Sequence, residues 1–164
     1  FYHEGFREAL VRALPHAKKV ELHAQLARAL EQAFSGRRAE LAHVLARHFK
    51  AAERPERAVR YLRRMATSAA ARGDLDGALR RLEEAGSIID ERPRTPASAT
   101  QRLQVLLQQI DLLLDFGRAR DALERADPQA ALASRSPEMM GAELTLSRAR
   151  AQFAIGQLDA TLAT

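Results

Sequence analysis

Residues 71–85 read ARGDLDGALRRLEEA, and this stretch decides the fold. Gly73 and Asp74 interrupt a sequence that is otherwise rich in helix-forming residues. Glycine suits the left-handed residue that follows a helix, and aspartate suits the N-cap of the next one. The stretch therefore predicts two helices joined by a tight turn.

Similar breaks recur along the chain at intervals of about twenty residues, and apolar residues between them are spaced by three and four. Leu103, Leu107, Ile110 and Leu114 are one such series, and no alternation typical of strands competes with it. The pattern predicts an all-α protein of about nine helices. We expect them over residues 4–14, 16–34, 38–52, 55–72, 75–91, 98–116, 119–135 and 138–155, with a ninth beginning near residue 158.

Short connections place consecutive helices antiparallel, so that each helical hairpin can bury its apolar stripe on the next. The expected architecture is a right-handed superhelical array of such hairpins. A small residue stands five positions after two of the glycines, Ala78 after Gly73 and Ala122 after Gly117. Thr161 has the same offset from Gly156, and side chains of this size suit a close crossing of two helices.

Composition narrows the classes of function. The 164 residues include no cysteine, which excludes disulfides and thiolate metal sites. No apolar run approaches the ~20 residues that cross a bilayer, so we expect a cytoplasmic protein without membrane contact. The net charge of +5 is uneven, because residues 1–72 carry +8 and residues 73–164 carry −3.

A basic contact face is predicted on the fourth helix, where Arg57, Arg60 and Arg64 share one side. Such a stripe could contact phosphates, with binding that falls steeply with salt. Nucleic-acid readers usually interleave base-stacking aromatic residues, whereas this stretch offers only Tyr61. A solvated helix face is the favoured interpretation, and a nucleic-acid-binding module in the basic half is the alternative.

Catalytic and metal chemistry are both disfavoured. His43 and His48 are five residues apart rather than four, and we expect His23 and His43 to pack at helix interfaces instead. The paired acids at Asp74/Asp76 and Asp111/Asp115 suit capping and solvation, although a hydrolase built on paired carboxylates is a third hypothesis. The sequence predicts no cofactor, no metal and no enzymatic activity.

The residues around Gly73 resemble the tetratricopeptide repeat in their order of large and small side chains. The matching residues are Leu62, Met65, Ala66, Ala69, Gly73, Ala78, Leu82 and Ala85. A second copy lies around Gly117 and Ala122, and a third begins around Gly156. The resemblance implies that these residues pack the repeats together.

Residues 1 to about 90 resemble the segment that joins the winged-helix end of a STAND-type signalling ATPase to its repeat domain. The matching residues are His3, Arg7, Glu8, Ala9, Leu14-Pro15, Leu22-His23, Ala27, Leu30 and Glu31. The resemblance implies linker helices over residues 1–35 and one continuous unit of repeats over residues 36–164. It also implies a fragment of a LuxR-type or adenylate-cyclase- or kinase-associated ATPase that begins at the end of the winged-helix domain. The GxxxxGK[ST] nucleotide motif does not occur in these 164 residues, so any nucleotide hydrolysis by such a parent is expected upstream.

The function expected from these observations is that of a non-catalytic regulatory module that binds a protein partner or other domains of its own parent chain. The identity of the partner and the oligomeric state stay open.

Overall fold

The computed structural model is all-α and describes residue 9 and residues 12–37, 40–93, 95–126 and 138–162. No strand occurs in these ranges, which confirms the predicted fold class. The seven helices are α1 (His16–Ala33), α2 (Ala42–Ala51), α3 (Pro55–Ala70), α4 (Leu75–Asp90), α5 (Pro96–Asp115), α6 (Ala119–Ala126) and α7 (Glu138–Leu162). A short 3₁₀ helix, Ser35–Arg37, follows α1. None of the helices in the described part of the chain is long and apolar enough to cross a bilayer.

The chain divides into two compact units, residues 1–65 and residues 66–164, and the division falls within α3. The domain boundary at residue 36 that the sequence suggests stays a prediction.

The first unit contains α1, which packs against α2, and the first part of α3. Helix α1 buries Ala24 and Ala27, whereas Leu22 and Leu26 are 41% and 45% exposed. The leucine spacing of α1 therefore indicates a helix correctly, but the leucines at 22 and 26 do not form its buried face.

In the second unit each helix from α4 to α6 packs against its successor, and α5 also contacts α7. An apolar cluster in this unit joins α4, α5, α6 and α7. Its buried members are Leu75, Leu79, Leu103, Leu106, Leu107, Ile110, Leu113, Ala122, Ala126, Leu144 and Ala151.

Two helices of the second unit end in the same way, at Gly73 and at Gly117. Their φ angles are 80° and 73°, which confirms the left-handed residue predicted from the sequence. At the first turn the Gly73 amide donates to the Ala70 carbonyl and the Asp74 amide to the Ala69 carbonyl, at 2.9 and 3.0 Å. These are the two bonds of the Schellman motif, which pair carbonyls that the helix end would otherwise leave free.

The second turn repeats this pattern 44 residues later. The Gly117 amide donates to Leu114 at 3.0 Å, and the Arg118 amide donates to Leu113 at 2.7 Å. The residues five positions after the two glycines, Ala78 and Ala122, are both fully buried.

The first unit contains a third turn of this kind, centred on a glutamate. Glu53 has a φ of 53°, its amide donates to Lys50 at 3.1 Å, and the Arg54 amide donates to Phe49 at 2.9 Å. Ala58, five positions later, is 1% exposed. The sequence does not indicate a left-handed residue here, because a glutamate stands where glycine is usual.

The expected break at Gly156 is wrong. Helix α7 runs without interruption from Glu138 to Leu162, so the predicted eighth and ninth helices are one element. A lone glycine inside a helix costs only about 1 kcal/mol relative to alanine, and no proline or asparagine adjoins Gly156 to end the helix. The predicted helix at 4–14 lies almost wholly outside the described residues, as do residues 127–135 of the predicted seventh helix, whose described part ends at Ala126.

Side-chain caps begin α4 and α5. The Asp74 carboxylate accepts a hydrogen bond from the Gly77 amide at 2.8 Å, which confirms its predicted capping role. Thr95 and Ser98 form a reciprocal capping box, and Pro96 occupies the first turn. Helix α5 therefore begins at residue 96 rather than at the predicted residue 98. The capping box satisfies amides at the start of the helix with Thr95 as the N-cap, so the first turn includes Pro96.

We predict that Glu53→Gly is more stable than Glu53→Ala by about 0.5 to 1 kcal/mol, because glycine accepts the left-handed backbone without a Cβ penalty. Both variants lose the contact between Glu53 and His16, so the difference isolates the backbone. Urea denaturation measures it. At the exposed helical position Lys50 the order should invert, with alanine more stable than glycine; the same inversion at Glu53 would contradict the prediction.

We predict that Ala78→Leu lowers the free energy of unfolding by roughly 1 to 3 kcal/mol, because Ala78 is fully buried and a larger side chain overpacks its site. Ala99→Leu is the matched control, since Ala99 is exposed on α5. Chemical denaturation of both variants measures the effect. Equal stabilities would show that the site after Gly73 accommodates bulk.

Candidate functional site

The predicted basic face of α3 is built into the first unit by contacts with α1 and α2. The Arg57 guanidinium lies 2.7 Å from the Glu31 carboxylate and 5.2 Å above the centre of the Phe49 ring. Its charge is therefore paired with an acid and packed on an aromatic face.

Tyr61 extends this arrangement. Its ring stacks on Phe49 at 5.8 Å with an interplanar angle of 6°, and its hydroxyl donates to the second oxygen of Glu31. The Arg64 guanidinium lies 5.7 Å from the centre of the Tyr61 ring, so two arginines flank two stacked rings. Cation–π contacts of this kind contribute about 0.5 to 1 kcal/mol each at exposed sites. Arg60, the third predicted residue, is exposed.

This column of rings and guanidiniums changes what the basic face can do. A phosphate that approached Arg57 would compete with Glu31, which already accepts hydrogen bonds from both Arg57 and Tyr61. Phe49 and Glu31 belong to this site although neither lies on α3. In the sequence Phe49 is an apolar residue of α2 and Glu31 an acid of α1, and neither is marked as a neighbour of α3. They come close to α3 only when the unit folds.

A second constellation joins the imidazoles of His23 on α1 and His48 on α2. Their Nδ1 atoms are 2.8 Å apart and the ring centres are 5.0 Å apart. One Nδ1 must donate and the other accept, so the pair cannot hold its hydrogen bond when both rings are protonated. Burial, the neighbouring His23 ring and Arg47 hold the pKa of His48 below its ordinary value.

The structure confirms the interface position predicted for His23, and it corrects the expectation for His43. His43 is exposed, whereas His48 is buried. Five residues of helix rotate the side chain by about 140°, so both cannot face α1. Within the described residues no group of three or more metal-ligating side chains converges.

Two of the carboxylates considered for catalysis have structural partners. Asp74 caps α4, and Asp111 lies 3.6 Å from the Arg150 guanidinium and 3.5 Å from the Ser147 hydroxyl. Asp74 therefore has the capping role predicted for it, and Asp111 takes part in contacts between α5 and α7.

The predicted repeat-packing residues fall into three environments. Most are buried, namely Leu62, Ala66, Ala69, Ala78, Leu82, Ala85 and Ala122. Met65 is half-buried. The glycines at 73 and 117 lie in exposed turns, and Gly156 lies on the surface of α7.

The second unit also contains a cleft that sequence reasoning missed. It has a volume of about 410 Å³ and is lined by residues of α4, α5 and α6. Two ion pairs form its walls: Arg102 of α5 lies 2.9 Å from Asp90 of α4, and Arg125 of α6 lies 3.0 Å from Glu83 of α4. We call it the α4–α6 cleft.

Taken together, the fold and these sites define an all-α protein in which neighbouring helices pack on one another. Comparison with protein-family models, with curated proteins and with solved structures finds no match for the chain.

We predict that the free energy of unfolding falls as the pH is lowered from about 7.5 to about 5.5. The folded pKa of His48 lies below its ordinary value of 6.5, so the unfolded chain binds the proton first and is favoured by acid. Urea denaturation across this range measures the effect. In His48→Gln the fall should be smaller.

His43→Gln is the control for this prediction, because it removes an exposed histidine from the same helix. It should retain the pH dependence of the natural chain. An equal loss of pH dependence in both variants would contradict the assignment to His48.

Proposed function

We propose that this chain is a protein-binding regulatory module built as a right-handed superhelical array of tetratricopeptide-like helical hairpins. The observation that carries the proposal is the recurring helix end, with a left-handed residue, two shared hydrogen bonds and a buried alanine five positions later. Arrays of repeated hairpins present extended surfaces on which other proteins bind.

Packing in the second unit supports an array. Helices α4 to α7 contact their immediate neighbours along the chain, and α5 contacts α7, the next helix but one. Such a pattern is expected when successive hairpins stack.

An apolar stripe on α1 supports a protein partner. Leu22 and Leu26 are 41% and 45% exposed, and their spacing of four residues places them on one side of the helix. Phe34, which is 41% exposed, follows the end of the helix. Exposed apolar rows of this kind are typical of surfaces that contact other proteins.

The basic face favours protein over nucleic acid as the partner. Arg57 is paired with Glu31, and Arg57 and Arg64 both lie on aromatic rings of their own unit. These contacts leave fewer unengaged cations for phosphates than the sequence count suggests.

The likeness of residues 1–90 to STAND-type regulators supports a narrower proposal: the module restrains or senses for a larger cytoplasmic ATPase or transcriptional regulator and has no catalytic role itself. The test is the coding sequence that surrounds this segment. A nucleotide-binding motif upstream would support the proposal, and an unrelated neighbouring domain would refute it.

Protein binding can be tested by placing a photo-crosslinking amino acid at Leu26 in the natural host. We expect discrete covalent adducts with protein, because Leu26 lies on the exposed stripe. Gln32 is the control position, since it is exposed on the same helix about 120° away, and it should give no such adducts.

The same protein should pass through a duplex-DNA column at about 0.15 M salt, where weak phosphate contacts are largely screened. Retention on that column, without crosslinks from Leu26, would favour the nucleic-acid alternative.

A further inference from the structure

The α4–α6 cleft has the features of a binding site rather than of an accidental gap between helices. Its floor is apolar and buried, formed by Leu82, Val105 and Leu106 at 0%, 2% and 8% exposure. A volume of about 410 Å³ accommodates a long side chain with its adjoining backbone, but not a whole helix.

Ion pairs line the two walls of the cleft. Gly86 of α4 lies against Arg102, since a Cβ added to the glycine would lie 2.4 Å from an Arg102 nitrogen. The absence of a side chain lets the guanidinium lie on the surface of α4, where it pairs with Asp90. Arg125 is held by Glu83 on the other wall. Both arginine charges of the cleft are therefore used within the unit.

Gln109 is the feature that points to a ligand. It lines the cleft and is 8% exposed, yet its side-chain amide forms no hydrogen bond with any part of the chain that the structure describes. The amide atoms of Gln109 are not among the buried polar atoms without a partner, so they reach the solvent of the cleft. There the amide offers a ligand both a donor and an acceptor. A peptide group is its chemical complement, because it also presents one donor and one acceptor.

The charge of the cleft indicates what else the ligand carries. Three carboxylates, on Glu83, Asp90 and Glu124, face two guanidiniums. The arginines pair with Glu83 and Asp90, and Glu124 makes no ion pair among the described residues. One negative charge at the edge of the cleft therefore lacks a counter-charge.

We infer that the α4–α6 cleft binds a short segment of a partner protein in which a basic side chain pairs with Glu124 and the adjoining peptide group hydrogen-bonds to Gln109. The inference rests on the proposed protein-binding function and specifies the chemistry of the partner. The bound residue of the partner is an exposed arginine or lysine, and its backbone is extended. Only an extended segment presents its peptide group beside its side chain in so small a volume.

The inference can be tested by NMR titration of the whole 164-residue chain with the blocked peptide acetyl-Ala-Arg-Ala-amide. The side-chain amide of Gln109 and the backbone amide of Gly86 should shift together and saturate at millimolar peptide. Acetyl-Ala-norleucine-Ala-amide has the same length without the charge and should bind several-fold more weakly.

Two variants separate the contacts. Gln109→Met keeps the volume but removes the amide, and should weaken the arginine peptide by about threefold to tenfold, the value of one hydrogen bond. Its melting temperature should change little, because the amide forms no hydrogen bond with the described residues and methionine keeps a similar side-chain volume. Glu124→Gln removes the free charge and should weaken binding by about twofold to fivefold. Glu84→Gln is the matched control, because Glu84 pairs with Arg81 and does not line the cleft.

Three results would overturn the inference: no shift of the cleft signals, equal binding of the two peptides, or unchanged affinity in both Gln109→Met and Glu124→Gln. Agmatine, a guanidinium without peptide groups, is the remaining arm, and binding as tight as that of the peptide would also overturn it. Because the crosslinking site on α1 lies in the other unit, loss of the cleft interaction and failure of the protein-binding proposal give separate results.

Discussion

The structure depends on how its helices end. A chain of helix formers continues as a helix until one residue takes the left-handed conformation and two amides beyond the end bond back to the last turn. Here that event occurs at Glu53, Gly73 and Gly117, and each time the alanine five positions later is buried. The turn thus sets the direction of the next helix and also the register at which it packs.

Some of the charge in the first unit holds its helices together. Glu31 of α1 accepts from Arg57 and Tyr61 of α3, and the stacked rings of Phe49 and Tyr61 carry a guanidinium on each side. The positive charge of residues 1–72 consequently says little about the partner. Ion pairs also line the α4–α6 cleft. There the Glu124 carboxylate and the Gln109 amide pair with no described residue, and the proposed peptide site rests on these two groups.

The sequence was informative where a single residue has a single physical consequence. Gly73 and Gly117 end helices because glycine alone adopts a positive φ freely, and Asp74 caps because its short carboxylate reaches the third amide. Gly156 misled, since glycine is also tolerated inside a helix and the outcome depends on its neighbours. The sequence could not show that His48 rather than His43 faces α1, or that Gln109 lines a cleft. Each depends on the rotation of one helix against another, which spacing along the chain does not determine.

Glu53 has a consequence for how such chains diverge. A glutamate at this position keeps the backbone conformation of the turn although the glycine typical of such turns is absent. The left-handed conformation costs a non-glycine residue only about 1 to 2 kcal/mol, which a folded protein can tolerate. Repeats that descend from a common hairpin can therefore keep their backbone conformation after the residues of the repeat motif have changed. Their relationship would be detected from the left-handed residue at the helix end rather than from sequence similarity.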